Sequence, residues 1–248
     1  MDDHTSEVVK HLLSDKKEEK GGRRIDIIVD NAGYELVSDL LLGYCMIKLG
    51  VATEVVFHTK GHPTFVSDAT NEDCHSTIDF LSNINDLNIE ANGFGSFVHT
   101  PQLANELKLM VEQEVFKFKE DLFWCQVNQF ICNIIHAIFI KIITFFCFKP
   151  TAFWDMPNSV KQKLSGSILV VVKGDANYRR LLGERQWELS TPAKSILSYW
   201  SVPVCALRTF KAEIGCGIST ASQERAEKED SKWMVSGKWG VVQFGGNK

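Results

Sequence analysis

No two of the seven cysteines stand as a C-x-x-C pair: Cys45, Cys74, Cys125, Cys132, Cys147, Cys205 and Cys216 are scattered singly. That odd count and spacing argue against a zinc site or a disulfide framework and for reduced thiols in a cytoplasmic setting. An excess of positive charge is also missing. The chain carries 27 Lys and Arg against 31 Asp and Glu, a net charge of -4, so nothing draws it generally toward nucleic acid. Trp187, Trp200, Trp233 and Trp239 read as core or rim aromatics, too dispersed for a base-stacking platform. The amino terminus is polar and lacks the apolar stretch of a signal peptide. Glycine-rich strand-to-helix loops are scarce as well. Gly33 is the only glycine following the first strong strand, while Gly93-Phe94-Gly95 and Gly215-Cys216-Gly217 read as turns.

What is present suits one substantial core: 248 residues, 44% hydrophobic and 23% charged. Val8, Val9, Leu12 and Leu13 have helical spacing, and Lys16 to Arg24 is a charged linker, so residues 1–24 are set apart from a domain over 25–248. Ile25 to Val29 reads as a strand, Leu36 to Leu49 as a helix closed by Gly50, and Glu54 to His58 as the next strand. Helices are expected over Asn71–Leu81 and over Leu103–Glu120, the latter opened by Thr100-Pro101. The last third repeats strand, helix, strand. The fold class that follows is α/β, a three-layer arrangement with helices on both faces of one sheet.

Chemistry concentrates where apolar runs end. Asp30-Asn31-Ala32-Gly33-Tyr34-Glu35 follows the first strand, Phe65-Val66-Ser67 ends on Asp68, and Ile168 to Val172 leads into Lys173-Gly174-Asp175-Ala176-Asn177. A fourth run, from Val202, ends in Arg208 and Lys211. Ligands of open α/β sheets sit in the crevice beyond the strand ends, and hard cations such as Mg²⁺ or Mn²⁺ take oxygen donors there. Three acidic ends and one basic end suggest a cation bound beside an anionic substrate. Taken singly, each Asp-Asn is also an ordinary turn or helix cap.

These segments together resemble the signature blocks of the metal-dependent damage-control phosphatases. They are Val29 to Leu36, Phe65 to Asp68, Lys173 to Leu181 and Leu207 to Glu213. The branch is the one that includes the acidic residue methyltransferase 1 proteins, and Arg208, Thr209 and Lys211 meet its Arg-Thr-x-Lys signature. The resemblance implies a divalent metal, Mn²⁺ or Ni²⁺ with Mg²⁺ and Co²⁺ as further candidates, held by Asp30, Asn31 and Asp68. It implies substrate contacts from those residues and from Glu35, Asp175, Ala176, Asn177, Tyr178, Arg179, Arg208, Thr209 and Lys211. Asp30, Asp175 and Lys211 are the catalytic candidates: Asp175 for proton transfer or for orienting a sugar hydroxyl, Lys211 for charge on the phosphoryl group. Packing is the plainer reading of Tyr178. The implied activity is hydrolysis of a small phosphorylated molecule, such as fructose 1-phosphate, fructose 6-phosphate or a damaged phosphometabolite.

Two features depart from that family. Its helical region ahead of the first block is largely missing, and Val127 to Phe148 forms an Ile- and Phe-rich insert. The insert approaches the roughly 20 residues that span a bilayer, but crossing would put strands of one sheet on opposite sides of the membrane. A membrane partner is therefore not expected, and translated intervening sequence is an alternative origin. His136 within the insert lacks a ligand neighbour, and His58 and His62 flank a loop unsuited to pairing imidazoles. Two other functions stay open, an S-adenosylmethionine-dependent protein-glutamate O-methyltransferase and a non-catalytic truncated remnant. The former would want a glycine-rich loop after the first strand.

Overall fold

Ile25, Asp26, Ile27 and Ile28 are all buried although they alternate between the two faces of one strand, so that strand must lie inside a sheet covered on both sides. The computed structural model describes residues 3–14, 22–84, 99–125 and 151–247. The expected turn at Gly93-Phe94-Gly95, most of the charged linker, the 127–148 run with His136, and Cys132 and Cys147 lie outside them.

Among the described residues six strands form the sheet: β1 (Arg24–Ile28), β2 (Glu54–Lys60), β3 (Phe116–Asp121), β4 (Ser167–Lys173), β5 (Val204–Thr209) and β6 (Gly240–Gly245). Their order is β3-β2-β1-β4-β5-β6. All neighbours are parallel except β5 and β6. One face is covered by α1 (Thr5–Ser14), α2 (Tyr34–Lys48), α3 (Asn71–Ser82) and α4 (Thr100–Glu112), which bury Leu12, Leu36, Leu40, Ile78 and Leu107 against Ile25, Ile27, Phe57 and Val171. The other face carries α5 (Asn158–Leu164), α6 (Asp175–Leu181), α7 (Ala193–Ile196) and α8 (Thr220–Glu229), packed on Ile28, Val170, Val172 and Ala206. The α/β class with helices on both faces is what the sequence predicts.

Strand order reverses between β1 and β4: the chain winds outward from β1 through β2 to β3, then returns to add β4 and β5 on the other side. Such a switch point opens a crevice beyond the strands' carboxyl ends. Asp30 follows β1 and Asp175 follows β4, so both leave the sheet at that crevice.

Two sequence expectations change. The expected helix over Leu103–Glu120 ends at Glu112, and a turn with Glu114 at φ 57° leads into β3. Phe116-Lys117-Phe118-Lys119 alternates with period two, and Phe116 and Phe118 both lie against Phe57; strand pairing on β2 prevails over helical continuation. Phe65 to Asp68 is a turn between β2 and α3 and not a strand end, with Phe65 and Val66 exposed. The turn nevertheless returns Asp68 to the sheet edge, where Asn31 and Asp68 form an antiparallel bridge. Thr70 and Asp73 then close a reciprocal capping box on α3. The charged segment Gln223 to Lys232 falls mostly within the exposed helix α8. Among the described residues no helix is long and apolar enough to cross a membrane.

Candidate active site

Asp30 is the first side chain beyond Val29, and it is buried. Lys60, at the end of the adjacent β2, is fully buried and donates to the Asp30 carbonyl and to Asp30 Oδ1, each at 2.8 Å, and to Asp68 Oδ1 at 2.5 Å. Asp68 Oδ2 accepts the backbone N–H groups of Thr64 and Phe65, both at 2.9 Å. The turn carrying Asp68 is thus fixed by its own carboxylate. Ala69 N donates to Asp30 O at 3.1 Å and Ala32 N to Ser67 O at 2.7 Å, tying the two loops together.

Asn31 lies at the hinge of this arrangement. Its Nδ2 donates to Glu35 Oε2 at 2.9 Å, one turn into α2, and its Oδ1 accepts from Ser67 Oγ at 2.8 Å. Asp30 Oδ2 has no hydrogen-bond partner among the described residues and faces Gly174. There φ is +84°, and a β-carbon would overlap the Asp30 carboxylate. Glycine is required twice over at this position, for its backbone and for the space it leaves.

Burial raises the Asp30 carboxyl above its ordinary range, with Lys60 opposing from the other side. Two buried carboxylates facing one ammonium leave an excess of negative charge, which a bound cation would relieve. Asp30, Asn31 and Asp68 offer oxygen donors, the type a hard divalent ion prefers, so the residues present fit a metal. Among the described residues no group of three or more His, Cys, Asp or Glu side chains is set to hold an ion. Two carboxylates and an amide would leave the remaining positions to water and substrate.

Beside them opens a cavity of about 730 Å³, lined by Asn31, Glu35, Asp175, Arg208, Thr209 and Lys211 among others. Six of the residues singled out from sequence therefore share one space. Asp175 Oδ1 accepts from Arg208 Nε at 2.7 Å and from Lys211 N at 3.3 Å, and its Oδ2 makes no hydrogen bond to a described residue. Thr209 and Lys211 are exposed. The Lys211 ammonium pairs with no described residue.

Arg208, although it lines that space, and the remaining candidates are held by other contacts. Arg208 is buried between the rings of Tyr178 and Phe210, at 4.5 and 4.3 Å. Its other donors go to the carbonyls of Ile214 and Ala212, so it holds Asp175 with a fully engaged guanidinium. Arg179 turns to Glu184, with Nε and Nη2 at 3.1 and 2.8 Å from Oε2. Tyr178 is buried and donates to Gln243 Oε1 at 2.7 Å; burial holds its hydroxyl well above the ordinary range. Asn177, fully buried, ties β4 to β1 through Nδ2 to the carbonyls of Lys173 and Val29, both at 3.0 Å. Ala176 lies half-buried in the same first turn of α6.

Three residues that the sequence reading passed over belong here: Lys60, Lys173 and Asp39. Lys173 lines the cavity, with Nζ 2.8 Å from Asp39 Oδ1 and 3.9 Å from Glu35 Oε1. Burial lifts the Asp39 carboxyl to about 6 against the opposing pull of Lys173. Asp39 falls one turn beyond Glu35 on α2, an i, i+4 spacing that puts both on one helix face. Each lysine ends an apolar strand run. Among the other groups, His58 is a buried residue 2.6 Å from Asp26, on the sheet and away from this cavity.

The fold and site define a doubly wound α/β protein with a carboxylate–amide–lysine cluster at its switch point. The comparison with known sequences is specific. A family model described as "Damage-control phosphatase ARMT1-like domain" matches residues 1–226, and the chain belongs to that family. It is similar to the protein named Damage-control phosphatase ARMT1 of Xenopus tropicalis, 31% identical over 96% of this chain and 48% of that protein. The Danio rerio protein of that name is 32% identical over 89% of this chain and 43% of its own length. The Homo sapiens one is 29% identical over 95% and 47%. The chain spans about half the length of these curated relatives.

Proposed function

We propose that the chain is a divalent-metal-dependent phosphatase for small phosphorylated molecules, with sugar phosphates such as fructose 1-phosphate or fructose 6-phosphate as substrates and Mn²⁺ or Ni²⁺ as the preferred ion. The observation that carries this reading is the shared cavity at the switch point, where Asn31, Glu35, Asp175, Thr209 and Lys211 surround one space next to the buried Asp30–Lys60–Asp68 cluster. Family membership supports the same activity.

Asp30, Asn31 and Asp68 would hold the ion, and when bound it would supply Lewis-acid charge at the phosphoryl oxygens. Lys60 keeps the two aspartates in place and limits their mutual repulsion. Lys211 places a mobile point charge on the phosphoryl group, and Thr209 can donate its hydroxyl beside it. Arg208 fixes Asp175 through Oδ1, which leaves Oδ2 to accept a proton from an attacking water or to orient a sugar hydroxyl. Gly174 keeps a side chain out of the space next to Asp30.

The test is orthophosphate release from a panel of sugar phosphates with Mn²⁺, Ni²⁺, Mg²⁺, Co²⁺ or chelator. Metal-dependent release from at least one sugar phosphate is expected. A folded chain that releases none under any metal contradicts the proposal.

A further inference from the structure

Three cations line the cavity among the described residues: Lys173, Arg208 and Lys211. The donors of Arg208 are committed to Asp175, Ile214 and Ala212, which leaves the two lysines to meet an anion. Lys173 keeps 15% of its side chain exposed, whereas Asp39 next to it keeps 1%. Nζ stands 2.8 Å from Asp39 Oδ1, and because an ammonium carries three N–H donors, this ion pair leaves donors for the cavity that Lys173 lines. That Asp39 still titrates near 6 beside Lys173 agrees with incomplete compensation.

We infer that Lys173 is a substrate-contacting residue that donates to an oxygen of the bound phosphate, opposite Lys211, and that Asp39 is the positioning residue that holds its ammonium at the cavity wall. The identity of the anion rests on the phosphatase reading; the two lysines match the roughly two negative charges of a phosphate monoester. Lysine suits this role as a compact charge on a flexible stem. The buried carboxylate sets where that charge stands.

The experiment is calorimetric titration of inorganic phosphate into the chelator-treated chain, with metal-dependent phosphate release measured on the same preparation. Lys173→Met should weaken phosphate binding on the order of 10- to 100-fold, the usual loss for a charge-assisted hydrogen bond. Because this variant strands Asp39, the pair Lys173→Met with Asp39→Leu is measured too. Exchanging both partners of a buried ion pair for apolar groups is commonly tolerated, and the double variant should bind phosphate as weakly as the single one. Asp39→Asn, which keeps Lys173 but loosens it, should fall between wild type and Lys173→Met. Wild-type phosphate affinity in the double variant would make Lys173 a mere neutraliser of Asp39 and overturn the inference. A wild-type chain that does not bind phosphate would overturn it as well. Phosphate binding that depends on Lys173 without turnover on any substrate would uphold the Lys173 assignment and refute hydrolysis.

Discussion

Asp39→Asn should change how stability depends on pH. The folded chain holds the Asp39 carboxyl at about 6 against an ordinary 3.8, because burial outweighs the attraction of Lys173. The native state therefore binds this proton more tightly than the unfolded state. Stability from Asp39 is fully present below about pH 4 and is lost as pH rises through about 6. At about 1.4 kcal/mol for each unit of pKa, the loss by pH 8 is about 3 kcal/mol. The asparagine variant cannot ionise, so its stability relative to wild type should rise by most of that amount between pH 4 and pH 8. In melting temperature this is roughly 6–12 °C for a chain of this size. Urea unfolding of both proteins across the range is the assay. Other titrating groups are common to both and cancel in the difference, as does the constant cost of leaving Lys173 without its acid. A stability gap that stays flat from pH 4 to pH 8 would refute the reasoning.

Gly174→Ala should lower stability by more than the roughly 1–2 kcal/mol of a left-handed non-glycine residue, because its β-carbon also meets the Asp30 carboxylate; unchanged urea unfolding would contradict the close approach. Lys60→Met removes the one ammonium between Asp30 and Asp68 and should cost about 3–5 kcal/mol, the penalty for stranding a buried charge, measured by the same unfolding. Arg208→Lys cannot reproduce the guanidinium's reach to Asp175 and two carbonyls. It should lower kcat/KM for phosphate release about 10- to 100-fold, and near-normal turnover would remove Arg208 from the positioning of Asp175.

Much of the site is legible in the sequence because strand ends are. Asp30, Asn31, Asp68 and Asp175 each follow or return to an apolar strand, and the parallel order of the sheet brings such ends to one edge. Tertiary contact decides what the pattern leaves open. Arg179 and Arg208 look alike as cations of the motif segments, yet one turns to Glu184 and the other is locked behind Asp175. Lys60 reads as the solvated end of a strand until the loop from Thr64 to Asp68 folds over it. Asp39 looks like the polar side of a helix until α2 packs and Lys173 reaches it. β3 hides behind α4 because Val111 to Glu120 mixes apolar and charged residues that satisfy either period; the rings of Phe57, Phe116 and Phe118 settle it.

Asp30, beside Gly174 and Lys60, is the anchor of the proposed metal-dependent phosphatase site. Its most direct test compares wild type with Asp30→Ala, measuring orthophosphate release from fructose 1-phosphate with Mn²⁺ together with the rise in melting temperature that Mn²⁺ causes. Metal-dependent release and Mn²⁺-linked stabilisation in wild type, both lost in a folded Asp30→Ala chain, are the predicted result, since an ion bound only by the native state must stabilise it. Release and stabilisation that survive the substitution would contradict a metal site anchored on Asp30.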